Sequence, residues 1–333
     1  NSAVALALFN CFAARFDPAL DGNRPEAMKA AEQAVHAALE SVVSLTEDEV
    51  LRALYNLIRC SLRTNFYQIP ERPVFSIKID SRNVEGMPAP RPMFEIYVHS
   101  NRLEGIHLRG GRVARGGIRW SDRHDDFRTE VLGLMQTQML KNTIIVPVGS
   151  KGGFVLKGNV PLPPALDAYL IHRYSEYISG LLDVTDNVVD GAIIHPPGVV
   201  RQDTDDPYLV VAADKGTAHL SNTANSISLE YGYWLGDAFA SGGRTGYDHK
   251  KIGITARGAW ECVKHHFRNL GMDIQKEPFT VCAIGDMSGD VFGNGMLLSK
   301  TTKLVAAFNH IHVFLDPKPE PGKSFRERER LFN

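Results

Sequence analysis

Cysteine is scarce and scattered. Cys11, Cys60, Cys262 and Cys282 are the only four in 333 residues, and no two form a C-x-x-C pair. That spacing excludes a disulfide scaffold and a cysteine zinc site, and it fits free thiols in a reducing compartment, so the cytoplasm is the expected location. An excess of one charge is missing too: 37 Lys and Arg stand against 38 Asp and Glu. A net charge of -1 gives no electrostatic reason to expect nucleic acid or an anionic membrane as partner. No apolar run approaches the roughly 18 residues that a membrane span needs. The opening NSAVALALFNCFAARF has no basic region ahead of its apolar stretch and no small-residue cleavage site, so it does not read as a signal peptide. It begins without methionine and reads as a piece of something longer. Internal repeats and low-complexity segments are absent. So are the P-loop, the G-x-S-x-G elbow and the H-E-x-x-H zinc motif. His265-His266 and the pair His310 and His312 find no third ligand at a matching spacing, so no metal is expected.

What is present is an ordinary globular composition, 44% apolar and 23% charged, in a chain long enough for two domains. Residues 1–72 read as a helical segment. TEDEVLRALYNLI carries a capping box in Thr46 and Glu49, then Val50, Leu51, Leu54, Leu57 and Ile58 at helical spacing. Phe75, Ile77 and Ile79 alternate with polar residues, as do Phe94, Ile96 and Val98, which is the period of half-buried strands. Helices over 130–142 and 163–182 follow, with a strand and loop over TIIVPVGSKGG between them, and DDPYLVVAAD (205–214) reads as a continuous apolar strand. This alternation over 73–245 argues an α/β domain. Residues 246–333 give apolar strand, glycine turn, helix, apolar strand and a terminal Asp316, which is half of a Rossmann-type dinucleotide-binding unit. The fold class is therefore α/β: a helical N-terminal segment, an α/β substrate domain, and an incomplete Rossmann-type domain.

Three groups of residues carry candidate chemistry. After the strand FTVCAI, the turn Gly285-Asp286-Met287-Ser288 keeps one glycine of the G-x-G-x-x-G fingerprint, through which backbone N–H groups approach a pyrophosphate. Asp316, at the end of the next strand, is placed to accept from ribose hydroxyls and to repel a 2′-phosphate, which favours NAD over NADP. The second group is cationic: Arg115 beside Gly116-Gly117, Gln138 and Lys141 on one helix face, and Lys151 beside Gly152-Gly153. Cations so grouped would receive carboxylates. The third is Asp214, which ends an apolar strand where α/β proteins place ligands, although an aspartate there could equally cap a helix.

RGGIRW, LKNTIIVPVGSKGGF, VVAADKGTAHLSNTAN, GYDHKKIGITARGAW, IGDMSGDVFGNGMLLS and HVFLDPKPEP, in this order, resemble the catalytic region of the large multidomain NAD-specific glutamate dehydrogenases over about residues 94–330. The resemblance implies oxidative deamination of L-glutamate to 2-oxoglutarate and ammonia, with hydride transfer to NAD and self-association into a homo-oligomer. It implies that Lys151 is the catalytic lysine and that Asp214 moves protons to and from the amino group. It gives Gln138 and Lys141 the α-carboxylate end, Arg115 the side-chain carboxylate, and Thr255 and Arg257 the nicotinamide end. Lys151, near other cations, is expected to lose its proton readily, with Gly152-Gly153 leaving room for substrate and nicotinamide. The alternatives are another amino-acid dehydrogenase of the superfamily, whose apolar side-chain pocket would leave Arg115 unpaired, and a non-catalytic regulatory module. With its nucleotide domain incomplete, the 333-residue piece is expected not to turn over by itself.

Overall fold

The computed structural model describes residues 2–20, 22–142, 148–214, 216–217, 219–247, 252–287, 289–309 and 311–332, without the side chains of 141, 142 and 213. Residues Asn1–Arg244 form one compact unit and Thr245–Asn333 a second.

The first unit opens with three helices, α1 (Ser2–Phe16), α2 (Arg24–Leu39) and α3 (Leu45–Cys60). Val4, Leu8, Val35, Leu39 and Tyr55 are buried where they meet. Asn23 caps α2, and Ser44, accepting from the Glu47 N–H at 3.4 Å, caps α3. The capping pair is thus Ser44 and Glu47, two residues ahead of the expected Thr46 and Glu49. Both pairs match the S/T-x-x-E pattern, and Ser44 is the one in extended backbone, as a cap requires. The helix splits its apolar stripe. Leu51 and Ile58 pack inward, while Val50 and Leu54 are exposed.

Next come β1 (Ser61–Thr64), β2 (Phe75–Asp80), β3 (Phe94–His99), β4 (Leu103–Arg109), β5 (Gly117–Trp120), α4 (Phe127–Asn142), β6 (Ser150–Leu156) and α5 (Leu166–Leu182). A hairpin of β7 (Asn187–Val189) and β8 (Ala192–Ile194) turns through Asp190-Gly191, both at positive φ, as a two-residue primed turn demands. Then follow β9 (Ala212–Ala213) and α6 (Ser221–Glu230). Seven strands make one sheet in the order β1-β2-β3-β4-β6-β5-β9. It is antiparallel as far as β6 and parallel across β6, β5 and β9. α4 covers one face, packing Val131 and Met135 on Ile106 and Leu108; α5 covers the other, packing Tyr174 and Tyr177 on Phe154.

Two expectations change here. Lys151 does not follow a strand into a loop; it is the second residue of β6, whose seven residues are all buried. The strand expected at Ile144–Val146 lies outside the described residues. Gly152 and Gly153 are packing glycines: a Cβ on Gly152 would lie 2.8 Å from the Tyr177 hydroxyl, and one on Gly153 would lie 2.4 Å from Val131 Cγ2. They let α5 and α4 press onto opposite faces of β6, so they do not provide room for a ligand. Likewise, 205–214 yields only the two-residue β9. Ahead of β9, side chains take several of its backbone groups in place of a neighbouring strand. The Tyr233 hydroxyl and Trp234 indole donate to the Pro207 carbonyl (2.8 and 2.7 Å), Tyr233 accepts from the Leu209 N–H (2.8 Å), and Arg109 donates to the Tyr208 carbonyl (2.7 Å).

The second unit contains α7 (Ile254–Asn269), β10 (Phe279–Asp286), β11 (Thr302–Phe308), β12 (Val313–Leu315) and α8 (Pro321–Phe332). β10 and β11 are parallel, but β12 returns antiparallel to β11. The chain reverses because the Asn309 carboxamide accepts from the Ile311 and His312 N–H groups at 2.9 and 2.7 Å. Between β10 and β11 the expected helix is a π turn (Asp290–Asn294) followed by a 3-10 turn (Gly295–Leu297). Gly289, Gly293 and Gly295 disfavour a regular helix there. Among the described residues no helix is long and apolar enough to cross a membrane.

Two predictions follow from the packing. Gly153→Ala should cost about 1–3 kcal/mol by overpacking. Combined with Val131→Ala, which removes the opposing methyl, its effect should fall short of additivity by at least about 1 kcal/mol in chemical denaturation. The second concerns His107, which pairs with Gly152 in the sheet and is 1% exposed, with no hydrogen-bond partner for either ring nitrogen among the described residues. Burial, assisted by the Arg109 charge, pushes its pKa from 6.5 down to about 3. Between those values the unfolded chain binds the proton and the folded one does not, so stability falls as pH falls through that window. His107→Leu should remove up to about 1.4 kcal/mol per pH unit from the slope of unfolding free energy between pH 6 and 4.

Candidate active site

β6 and β9 flank β5, and the parallel register sets Ala212 and Ala213 beside Gly117 and Ile118. Asp214 follows directly, at the carboxyl end of β9. From β6 the Lys151 ammonium, 5% exposed, reaches the Asp214 carboxylate and forms an ion pair with it. Two residues that sequence reasoning did not single out complete this cluster. Arg119, on β5, donates through Nε to Asp214 at 3.2 Å and through Nη1 to Glu130 at 2.9 Å. Glu130, in the first turn of α4, also accepts from the Ser121 hydroxyl at 2.5 Å. Burial pushes the Glu130 carboxyl up, but Ser121 and Arg119 more than offset this and hold it below its ordinary value. Burial pulls Arg119 down, and its bonds to Asp214 and Glu130 reverse that and raise it. The result is a continuous chain of contacts: Ser121, Glu130, Arg119, Asp214, Lys151.

The other predicted substrate residues lie where β6 begins. Arg115 forms a backbone bridge to Gly149, and its carbonyl accepts from the Ser150 N–H at 3.0 Å; its side chain is exposed and has no partner among the described residues. Gln138 packs its backbone on Gly149, where an added Cβ would come within 2.6 Å. Arg115 and Gln138 therefore flank the residues that lead into Lys151. The side chain of Lys141 lies outside the described residues. Gly116 is forced: a Cβ there would lie 1.6 Å from the Ser150 carbonyl.

In the second unit, Thr255 and Arg257 are exposed in the first turn of α7, not in a loop. Asp290 accepts from the Thr255 N–H at 3.0 Å and so draws the start of α7 to the segment after β10. Gly285 and Asp286 end β10, Met287 follows in a turn, and Ser288 lies outside the described residues. β10 and β11 are parallel and joined through a glycine-rich segment, as in half of a dinucleotide-binding unit. The space that Gly285 leaves is partly taken by the chain itself, since a Cβ there would meet the Phe292 ring at 2.2 Å. Asp316 departs from expectation. It follows the antiparallel β12, and its N–H donates to the Val305 carbonyl, three residues back from the Phe308 end of β11. The hairpin at Asn309 is the cause.

Residues 34–333 match the family described as bacterial NAD-glutamate dehydrogenase, catalytic domain. The chain is 54% identical over 335 residues to an NAD-specific glutamate dehydrogenase of Halomonas elongata, covering 98% of this chain and 20% of that protein. It is 57% identical over 310 residues to the NAD-specific glutamate dehydrogenase of Pseudomonas aeruginosa, covering 91% and 19%. The solved structure of Plasmodium falciparum glutamate dehydrogenase 2 superposes with a TM-score of 0.47 at 14% identity, over 100% of this chain and 63% of that one. The chain spans about a fifth of the length of the curated relatives it matches. The match over residues 34–333 shows that the chain belongs to the catalytic-domain family of the bacterial NAD-glutamate dehydrogenases.

Proposed function

We propose that the protein to which this chain belongs oxidises L-glutamate with NAD and water, giving 2-oxoglutarate, ammonium, NADH and a proton. The observation that carries the reading is the buried Lys151–Asp214 pair, held by Arg119 at the carboxyl end of β9; family membership supports it.

Arg115 receives the side-chain carboxylate of glutamate, and Gln138 and Lys141 receive the α-carboxylate end. Lys151 hydrogen-bonds the substrate nitrogen and then the developing carbonyl oxygen, and it orients the attacking water. Asp214 takes protons from the amino group and returns them; its contact with Lys151 lets a proton pass between the two. Thr255, Arg257, Gly285, Asp286, Met287 and Ser288 form the part of the nucleotide site that this chain supplies, and Asp316, set back by the β11–β12 hairpin, does not take its expected place at the strand edge. NAD, when bound, accepts the hydride from the substrate Cα. The four free cysteines are consistent with a cytoplasmic enzyme, and a homo-oligomer is part of the proposal.

NADH formation by the intact protein is the test, with L-glutamate against L-leucine and NAD against NADP. Strong preference for glutamate with NAD is expected; leucine as the better substrate would overturn the assignment of Arg115. Lys151→Ala should lower kcat by about 10³-fold, whereas Arg115→Ala should act mainly on KM for glutamate. Glu130 is a positioning residue. Glu130→Gln leaves the Arg119 charge facing Asp214 uncompensated, so the acidic limb of the kcat/KM profile should move to lower pH, with kcat reduced about tenfold. A lower rate with an unmoved pH profile would make Glu130 merely structural.

A further inference from the structure

Three residues after Asp214 stands a buried hydroxyl that the catalytic reading does not use. Thr217 is 1% exposed. Its hydroxyl has a single hydrogen and gives it to the Ile118 carbonyl of β5 at 2.6 Å; the Asp214 carbonyl, 3.4 Å away, is the poorer acceptor. The same oxygen accepts from the Asp214 N–H at 3.2 Å. One hydroxyl therefore ties the Asp214 backbone to β5. The anchor point matters. Ile118 pairs in register with Gly152 of β6 and with Ala213 of β9, the neighbours of Lys151 and Asp214.

Thr217 is itself held from both sides. Its N–H donates to the Asp214 carbonyl at 3.1 Å, and its carbonyl accepts from the Leu220 N–H at 3.0 Å. Leu220 is buried in the main core with Ala224 and Ile227 of α6. Gly216, at a φ of +80°, lets the chain lie against β5, since a Cβ there would come within 3.0 Å of Trp120 Cβ. α6 begins without a side-chain cap, so the Asp214 carboxylate is not spent on that helix and meets Lys151 and Arg119 instead.

The two cations alone do not define where that carboxylate stands. Arg119 reaches it at 3.2 and 3.5 Å, long for a guanidinium on a carboxylate, and Lys151 comes on a flexible four-carbon stem. We propose that Thr217 is a positioning residue for Asp214: its buried hydroxyl, bound to β5, sets where the carboxylate stands between Lys151 and Arg119. This inference rests on the reading of Asp214 as the group that moves protons. Without the hydroxyl, the Asp214 N–H and the Ile118 carbonyl lose the bonds it makes to them and the chain at Asp214 shifts to replace them.

The experiment compares the intact wild-type protein with Thr217→Val and Thr217→Ser, using L-glutamate and NAD. Valine keeps the shape of threonine and loses both hydrogen bonds, whereas serine keeps the hydroxyl. Thr217→Val should lower kcat by about 10- to 100-fold, as a misplaced reacting group does, with KM for NAD unchanged. Thr217→Ser should retain most of the rate. A second readout needs no substrate. Competitive acetylation of Lys151 by acetic anhydride across pH, followed by peptide mass spectrometry, gives the apparent pKa of its amine. Displacement of the Asp214 carboxylate should lower that pKa in Thr217→Val and leave it at the wild-type value in Thr217→Ser. An unchanged rate in Thr217→Val, or a lower rate with an unmoved Lys151 titration, would overturn the proposal. So would a serine variant as impaired as the valine one. If the valine variant does not fold, Thr217→Ala takes its place, because it differs from Thr217→Ser by the hydroxyl oxygen alone. Loss of fold in both would make Thr217 structural and overturn the proposal too. A wild-type protein inactive on glutamate would sink the catalytic reading instead, and the Lys151 titration would still decide the part played by Thr217.

Discussion

A buried chain of six charges holds the first unit in register. Arg63 on β1 pairs with Asp186 at 2.8 Å and Asp203 at 2.6 Å, Lys78 on β2 pairs with Asp203 and Asp206 at 2.6 Å, and Arg109 on β4 closes the chain on Asp206. Strands β1, β2 and β4 are thereby fastened to Asp186, ahead of β7, and to Asp203 and Asp206, after β8. Burial pushes the Asp206 carboxyl up, but Arg109 and Lys78 overwhelm this and hold it far below the ordinary range. Replacing the whole set by apolar residues could be neutral, but removing one member strands its partners and costs about 3–5 kcal/mol. Its structural importance lies in position. Asp206 is eight residues before Asp214, and Arg109 is paired in the sheet with Ser150, the neighbour of Lys151. The same charges therefore fix the approach of both partners of the candidate catalytic pair.

Close packing supplies the rest of the rigidity. β6 carries glycine at the two positions where Tyr177 of α5 and Val131 of α4 press on it, and with no Cβ there the helices pack onto the strand from both sides. Lys151, one residue earlier, inherits a backbone with little freedom to move. Its long side chain reaches Asp214 across β5, and Arg119 on β5 binds that same carboxylate. A cation at each side of one carboxylate, with Glu130 balancing the second cation, gives a cluster of two acids and two bases whose charges cancel internally.

Much of this was legible in the sequence where the signal is local. Alternation at 75–79 and 94–98 corresponds to β2 and β3, and helical spacing and caps mark α2 to α5 within a few residues. The parts that could not be read are those set by partners distant in the chain. The apolar run 205–211 has the composition of a strand, but Tyr233, Trp234 and Arg109 take its backbone groups, and nothing in the run itself announces them. The glycines after Lys151 looked like space for a ligand because the helices that fill that space, α4 and α5, are only recognisable as its neighbours once the sheet order is known. Arg119 and Glu130 are eleven residues apart with no shared period, so no spacing rule joins them. At the other end of the chain, Asn309 reverses β12 and sets Asp316 back from the edge where a parallel strand would have carried it.

Charge balance explains why Arg115 stands apart from its neighbours. Lys151, Arg119, Asp214 and Glu130 neutralise one another within the protein, and Gln138 is uncharged. Arg115, at the entry to β6, is exposed and without a partner among the described residues, so its charge is not consumed by the fold. An arginine left in that state beside a built ion cluster is suited to a carboxylate that arrives from outside, and its planar fork can take both oxygens. An amino acid with an apolar side chain offers nothing to that charge, whereas a dicarboxylic one does. The proposed preference for glutamate therefore rests on a cation at the entry to β6 that has no ion pair among the described residues.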